Sequence, residues 1–169
     1  MWLIFVTERL HIGADCLKTI LITAKDQTME YEPLVVERTY EVPVDTVWDA
    51  ITNNSKMKKW YFDIPEFKPE VGFEFEFSAG SEKKMYKHLC KVTEVDPPNK
   101  LSYSWKYEDY PGTSVVSFEL IPAGHETVVR LTHTGLESFP QDSPDFALAS
   151  FTEGWNYILG KSLKDFLEG

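Results

Sequence analysis

Three patterns of hydrophobic and polar residues follow one another along this chain. Near the start of the patterned region, Val44 to Ile51 and Ser55 to Trp60 have the apolar spacing of two short helices. Most of the remaining chain between Leu34 and Thr134 alternates with a period of two, which predicts strands with one buried face. From Phe146 to Glu168, apolar residues recur at intervals of three and four, which predicts one long helix.

The long helix is predicted to have one continuous apolar face, preceded by Asp145 as its N-terminal cap. Gly154 and Gly160 interrupt it, and each costs about 1 kcal/mol relative to alanine in a helix interior. We therefore expect another backbone or a ligand to approach closely at these positions. The residues on the apolar face are Leu148, Phe151, Trp155, Ile158, Leu159, Ser162 and Phe166.

The order of elements indicates the fold class. A strand from Leu34 to Val42 ends before Pro43 and is followed by the two short helices. Five strands joined by short turns come next, with one of the turns predicted at Pro111-Gly112, and the long helix is last. Consecutive hairpins make the sheet antiparallel, so we predict an α+β fold whose curved antiparallel sheet wraps around the C-terminal helix.

Charge and cysteine content exclude several classes of protein. The 27 acidic and 17 basic residues give a net charge of −10, which argues against nucleic acid and anionic membrane surfaces as partners. No apolar stretch approaches the length of a membrane span. Cys16 and Cys90 form neither a disulfide framework nor a zinc pattern, so we expect a protein of the reducing cytoplasm.

The first 28 residues do not continue these patterns. They contain no capping pattern, no turn signal and no period that joins them to the rest, and Met29 follows them. We interpret residues 1–28 as a poorly ordered or upstream extension of a domain that spans residues 34–168. An additional edge strand at Thr19 to Thr23 is the alternative.

Several short motifs resemble one known family. They occur in the family's order over roughly residues 34–168, and together they are similar to the domain named after the activator of the Hsp90 ATPase, within the START-like (SRPBCC) superfamily. The motifs are Glu41 to Ala50 (EVPVDTVWDA), Lys59-Trp60, Pro69 to Gly72 (PEVG), Val92 to Pro98 (VTEVDPP), Leu101 to Trp105 (LSYSW), Val116 to Leu120, Thr127 to Gly135 and Gly154-Trp155.

The resemblance implies a helix-grip fold and leaves several functions open. In the superfamily, a cavity between the sheet and the long helix binds lipids, hormones or other apolar molecules, and some members close polyketide rings. The cochaperone itself has a separate N-terminal domain that makes much of the chaperone contact. The first 33 residues here contain nothing like the Asn-Trp-His-Trp motif expected of that domain.

The candidate ligand-binding residues are aromatic and polar side chains expected on the concave face of the sheet and on the facing helix. Buried tyrosine hydroxyls and indole N–H groups need partners, which ligand atoms or water could supply. A filled core is the alternative, because apolar stripes usually pack against each other. The set is Phe75, Tyr103, Trp105, Tyr107, Phe118, His133, Phe151, Trp155 and Ile158.

The sequence contains no recognisable catalytic machinery. His133 could carry a proton near neutral pH, but no nucleophile or partner acid is placed beside it, and a satisfied interior histidine is the simpler interpretation. His88 and Cys90 at i and i+2 make only half of a metal site, so no metal is predicted. No glycine-rich phosphate loop or other cofactor motif is present.

Three hypotheses follow. The first is a non-catalytic protein that binds a small apolar or amphipathic ligand between the sheet and the C-terminal helix. The second is a stress-related cochaperone-like module that contacts a chaperone through its surface, for which the lysines Lys56, Lys58 and Lys59 are the candidate basic patch. The third is a cyclase-like enzyme that uses His133.

Overall fold

A computed structural model of the protein describes residues 31–82 and 84–169. These residues form the predicted α+β helix-grip fold, a six-stranded antiparallel sheet in the order β1-β6-β5-β4-β3-β2 with a long C-terminal helix. The elements are β1 (Leu34–Tyr40), α1 (Val44–Thr52), α2 (Asn54–Trp60), β2 (Glu74–Ser81), β3 (Lys84–Asp96), β4 (Lys100–Tyr107), β5 (Tyr110–Ala123), β6 (Glu126–Thr134), α3 (Leu148–Tyr157), a π-helical segment (Ile158–Leu163) and α4 (Lys164–Glu168). The predictions for residues 1–28, including the strand Thr19 to Thr23, lie outside the described residues.

The sheet is built from four consecutive hairpins, and β1 joins it on the far side of β6. Register shifts occur at Val92/Glu94 on β3 and at Trp105/Tyr107 on β4. Such bulges bend a strand and increase its twist. One face of the sheet can therefore curve around the C-terminal helix. In the second half of β4, the buried Tyr103, Trp105 and Tyr107 alternate with the more exposed Ser104 and Lys106, as the period of two predicts, whereas Ser102 in the first half is also buried.

The two short helices form as their sequences predict. Asn53 ends α1, and its side-chain oxygen accepts hydrogen bonds from the N–H groups of Ser55 and Lys56, which caps α2. Trp60 at the end of α2 donates its indole N–H to the carbonyl of Ala50, 3.0 Å away. The two helices therefore hold each other in place beside the sheet.

The long helix differs from its prediction at its start. It begins at Leu148 instead of Phe146, and Leu148 is 56% exposed, so its predicted inward position is wrong. Phe151, Trp155, Leu159 and Leu163 are the residues of this helix that are buried. The shift arises because Pro144–Phe146 form a separate 3-10 turn whose Phe146 is itself buried in the core.

Asp145 does not cap the helix. The N-cap position is Ala147, which makes no side-chain cap bond. The carboxylate of Asp145 instead accepts a hydrogen bond from the hydroxyl of Tyr86 on β3. A cap residue must directly precede the first helical turn, and Asp145 lies in the 3-10 turn, two residues before the N-cap position.

The turn predicted at Pro111-Gly112 lies three residues earlier, at Glu108 and Asp109, and both Pro111 and Gly112 belong to β5. Gly112 has a φ of 112°, and a Cβ atom there would lie 2.6 Å from the carbonyl oxygen of Ser138. The glycine is therefore required for the close crossing of the segment after β6, and not for a reversal of the chain.

A buried hydrogen bond ties the first strand to the C-terminal helix. The hydroxyl of Tyr40, which is fully buried, donates to the carbonyl of Leu159 at 2.8 Å. Leu159 lies in the π-helical segment, where the regular pattern of backbone bonds is altered.

We expect Tyr40→Phe to lower the free energy of unfolding by about 1–2 kcal/mol, because it leaves the buried Leu159 carbonyl without this partner. Urea unfolding followed by tryptophan fluorescence measures the change. Tyr157→Phe, which alters a hydroxyl on a 59% exposed residue, is the matched control and should change stability little. Equal effects of the two substitutions would contradict the role of the Tyr40 bond.

Candidate ligand-binding groove

A groove of about 660 Å³ lies between the concave face of the sheet and the C-terminal helix. Strands β2, β3 and β4 form one wall, α3 and the start of the π-helical segment form the other, and the 3-10 turn Pro144–Phe146 closes one end. Its lining is Phe62, Ala79, Gly80, Ser81, Lys84, Tyr86, His88, Trp105, Tyr107, Asp145, Phe146, Ser150, Phe151, Glu153, Gly154, Trp155, Tyr157 and Ile158.

The structure divides the nine residues that the sequence singled out into two sets. Trp105, Tyr107, Phe151, Trp155 and Ile158 line the groove. The other four lie outside the groove lining and are buried in the adjoining core: Phe75, Tyr103, Phe118 and His133. Alternation along the strands and helical spacing along the last helix predicted that all nine face inward, and the position of the helix decides which ones face open space.

His133 is locked by hydrogen bonds on both ring nitrogens. Trp155 donates its indole N–H to Nδ1 at 3.0 Å, so Nδ1 carries no proton. In the neutral ring Nε2 then carries the proton and donates it to Ser114 Oγ at 2.7 Å. Burial lowers the pKa of His133 to about 3. His133 is thus a neutral structural link between the helix and the sheet, which removes the proton carrier that the cyclase-like hypothesis requires.

Tyr103 is likewise held inside the core. Its hydroxyl lies 2.8 Å from the hydroxyl of Tyr61, which follows α2. Burial raises the pKa of both phenols well above the ordinary value, so each stays protonated at neutral pH. The pair joins α2 to β4 beneath the groove.

Two buried ring nitrogens beside the groove make no hydrogen bond of good geometry. They are Nδ1 of His88 and Nε1 of Trp105, and both rings line the groove. The Trp105 indole nevertheless lies near the Tyr107 hydroxyl, and the His88 ring lies near the backbone of Tyr86 and Phe77. The His88 ring lies 4.4 Å from Phe77, 4.7 Å from Trp105 and 4.7 Å from Tyr107, measured between ring centroids. Unpaired polar groups of this kind are rare in folded proteins and each one calls for an explanation.

His88 is a site residue that sequence reasoning missed, since it was considered only as half of a metal site with Cys90. Burial lowers its pKa to about 4, so the ring is neutral at pH 7. His88 shares one face of β3 with Tyr86 and Cys90, and this face points inward. The sequence does not show which residues pair across the strands. In the structure His88 pairs with Phe77 on β2 and with Tyr107 on β4, which brings its ring into the aromatic wall.

Charged groups lie along the margin of the groove. The ammonium of Lys84 is 3.9 Å from the carboxylate of Asp145 and lies 4.8 Å from the centroid of the Tyr86 ring. Glu153 on α3 also contributes to the lining. The margin is polar and the interior is aromatic, so the groove can contact both a polar group and an apolar surface of one molecule. The sequence did not point to these residues as groove residues, since Asp145 was predicted only as a helix cap and charged surface residues are common.

The remaining candidate chemistry is weak. Cys90 is buried, and desolvation raises the pKa of its thiol, which makes it an unreactive core residue. Among residues 31–82 and 84–169, no group of three potential ligands could hold a metal ion. In the same residues no helix is long and apolar enough to cross a membrane.

On the lysine surface of α2, Lys56 pairs with Asp49, and Lys58 lies 3.5 Å from Asp63.

A six-stranded antiparallel sheet curved around a C-terminal helix, with a groove between them, defines a helix-grip protein. The family model "Activator of Hsp90 ATPase homolog 1-like protein" matches residues 41–168, and the chain belongs to this family. A comparison with curated proteins gives no significant match.

Solved structures share the fold. Protein MLL2253 from Mesorhizobium loti is 28% identical, with a TM-score of 0.65 over 81% of this chain and 97% of that one. CalU16 from Micromonospora echinospora is 24% identical, with a TM-score of 0.63 over 80% and 76%. DynU16, a protein from the dynemicin biosynthetic locus, is 20% identical, with a TM-score of 0.67 over 82% of this chain and 48% of DynU16.

The two buried neutral histidines predict that acid weakens the fold. Each binds a proton in the unfolded chain at a pKa of about 6.5 and resists protonation when folded. Stability should therefore fall as the pH drops below 6.5, by about 1.4 kcal/mol per pH unit for each histidine, until the folded-state pKa values of about 4 for His88 and about 3 for His133 are reached.

His88→Phe should remove about half of this pH dependence and leave stability at pH 7 unchanged or higher, because the ring loses no hydrogen bond at Nδ1. His133→Phe should destabilise at pH 7 by about 2–4 kcal/mol, since it breaks two buried hydrogen bonds. Urea unfolding at pH 7 and pH 5 measures both. A full pH dependence in the His88 variant would contradict the neutral, buried state of that ring.

Proposed function

We propose that this protein binds a small amphipathic molecule with a largely apolar body in the groove between β2, β3, β4 and α3, without catalysing a reaction. The observation that carries this proposal is the aromatic groove of about 660 Å³, beside which His88 Nδ1 and Trp105 Nε1 make no hydrogen bond of good geometry. A filled core would leave no such space beside unsatisfied polar atoms.

The apolar part of the ligand would pack on the aromatic lining. The lining presents large, rigid rings from several elements. They are Trp105 and Tyr107 on β4, Phe151 and Trp155 on α3, and Phe146 in the 3-10 turn. Burying the apolar area of a ligand against such rings is the main source of affinity in small-molecule sites. The volume lies within the range of sites that hold drug-sized ligands.

The polar part of the ligand would supply the missing hydrogen bonds. An oxygen atom can accept from the indole N–H of Trp105, and a hydroxyl can in addition donate to the neutral ring of His88. Both nitrogens are shielded from solvent.

A catalytic role has less support. His133, the candidate proton carrier, has both nitrogens engaged by Trp155 and Ser114. The groove lining contains His88 and no cysteine. Ser150, one of its two serines, donates its hydroxyl to the carbonyl of Pro144. No nucleophile and base are therefore placed together among these groups.

Family membership favours a chaperone-related function as the second candidate. The lysine surface on α2 is its proposed contact, although Lys56 and Lys58 already have acidic neighbours. Charge reversal at Lys58 and Lys59 separates the two candidates. It should leave small-molecule binding unchanged and should weaken a chaperone complex in a pull-down only if the second function holds.

The decisive experiment is native mass spectrometry of the full chain with a panel of fatty acids, sterols and fused-ring aromatic ketones and phenols. A bound mass, accompanied by quenching of tryptophan fluorescence, would support the proposal and identify the ligand class. A folded protein that retains no member of the panel would count against it.

His88→Phe should weaken binding of 1-hydroxypyrene roughly tenfold, which corresponds to the loss of about one hydrogen bond, and should leave binding of pyrene unchanged. Fluorescence titration measures both affinities. His125→Phe, in the exposed turn between β5 and β6, is the matched control and should have wild-type affinity for both probes. Equal affinities of wild type and His88→Phe for 1-hydroxypyrene would refute the polar contact.

A further inference from the structure

A lysine of the protein itself occupies an aromatic corner at one end of the groove. The ammonium nitrogen of Lys84 lies over two tyrosine rings, 4.8 Å from the centroid of Tyr86 and 5.3 Å from the centroid of Tyr110. It is also 3.9 Å from the carboxylate of Asp145. Ammonium groups are attracted to ring faces, because the ring quadrupole places negative charge there. The structure therefore shows which functional group this corner accommodates.

Three separate segments build the corner. Lys84 and Tyr86 are alternate residues of β3, so their side chains lie on the same face of the sheet. Tyr110 begins β5, and its ring centroid lies 5.5 Å from that of Tyr86. The buried ring of Phe146, in the 3-10 turn, lies 5.5 Å from Tyr86 and 4.9 Å from Tyr110. Asp145 accepts the hydroxyl hydrogen of Tyr86, which fixes its carboxylate beside the rings. We call Tyr86, Tyr110, Asp145 and Phe146 the aromatic cage.

Lys84 is held in the aromatic cage only weakly. Its side chain is 49% exposed and that of Asp145 is 50% exposed. An ion pair so open to water contributes little, because solvent screens it and both side chains lose freedom. The lysine ammonium is strongly hydrated and lies at the end of a flexible stem, so it can return to water at small cost. A quaternary ammonium group of a ligand is less strongly hydrated and gains more from the rings.

The charges around the groove also favour a cation. The lining residues that the structure describes include one cation, Lys84, and two carboxylates, Asp145 and Glu153. When Lys84 turns out into solvent, the carboxylates leave this end of the groove negative. The whole chain has a net charge of −10, which adds to the same field. A cationic group is therefore attracted to the aromatic cage, and an anionic group is repelled.

We propose that the aromatic cage binds the ammonium group of a small amphiphile, quaternary in preference to primary, and that Lys84 is a tethered competitor which the ligand displaces. This inference rests on the proposed function, in which the apolar body of the ligand lies in the groove, and it adds the chemical class of the polar group. A short tether holds a competing group at a millimolar effective concentration. Lys84 thus raises the ligand concentration needed for binding without abolishing it.

The first test is Lys84→Met in the full chain, which keeps the length of the stem and removes the charge. NMR titration measures binding of choline and of its neutral isostere 3,3-dimethylbutan-1-ol. Lys84→Met should bind choline roughly tenfold more tightly than the wild type, because the competitor is gone, and should bind the alcohol as the wild type does. Lys106→Met, exposed on β4 and outside the groove lining, is the matched control and should leave both affinities unchanged.

Further substitutions in the Lys84→Met background examine the aromatic cage itself. Tyr110→Leu removes one ring face and should weaken choline binding roughly tenfold, whereas Tyr110→Phe keeps the ring and should not weaken it. Asp145→Asn removes the charge and keeps an oxygen that can accept from Tyr86, and it should also weaken choline binding. Thermal unfolding of each variant verifies that the fold is intact. In the wild type, decyltrimethylammonium should bind more tightly than decanoate, because only the first carries a cation.

The outcomes separate this inference from the proposed function. A Lys84→Met variant that binds choline no better than the wild type does would refute the aromatic cage, while binding of other panel members would leave the proposed function standing. Tighter choline binding by Lys84→Met, with no panel member or decyl amphiphile bound, would support the aromatic cage and remove the proposed function. Tighter binding of decanoate than of decyltrimethylammonium would overturn the inferred ligand class.

Discussion

The burial of one face of the C-terminal helix against the curved sheet is the interaction on which the rest of this structure depends. Phe151, Trp155, Leu159 and Leu163 carry that face, and neither the sheet nor the helix could hide its apolar residues alone. Directional bonds fix where the helix lies. The indole of Trp155 reaches His133 on β6, and the hydroxyl of Tyr40 on β1 reaches the backbone of the π-helical segment. Apolar packing supplies most of the stabilisation, and these bonds set the position.

The groove is a consequence of how the helix is anchored. The helix is bonded to β1 and β6 at one side of the sheet, whereas β2 and β3 at the other side face the groove. The 3-10 turn before α3 contributes Phe146, whose ring lies 4.9 Å from that of Tyr107 and fills the core beside the groove. Space remains between α3 and strands β2 to β4. The aromatic wall and the buried ring nitrogens of His88 and Trp105 border this space.

The candidate site was predictable only in part. Alternation along β4 and helical spacing along α3 pointed to Trp105, Tyr107, Phe151, Trp155 and Ile158, and these do line the groove. The same patterns selected Phe75, Tyr103, Phe118 and His133, because an inward-facing residue has the same periodicity whether it meets another side chain or open space. His88 was undervalued for a related reason. Its surroundings are made by neighbouring strands, and no local pattern records which rings those strands bring beside it.

The sequence by itself determined the order of the elements, the antiparallel sheet, the two short helices and the family. These depend on periodicity, capping and turn chemistry, which act over a few residues. Tertiary structure alone decided that the helix begins at Leu148, that Asp145 accepts a bond from Tyr86, and that Gly112 lies within β5. It also decided which inward residues border the groove. Each of these outcomes depends on contacts between segments far apart in the chain, where packing outweighs local preference.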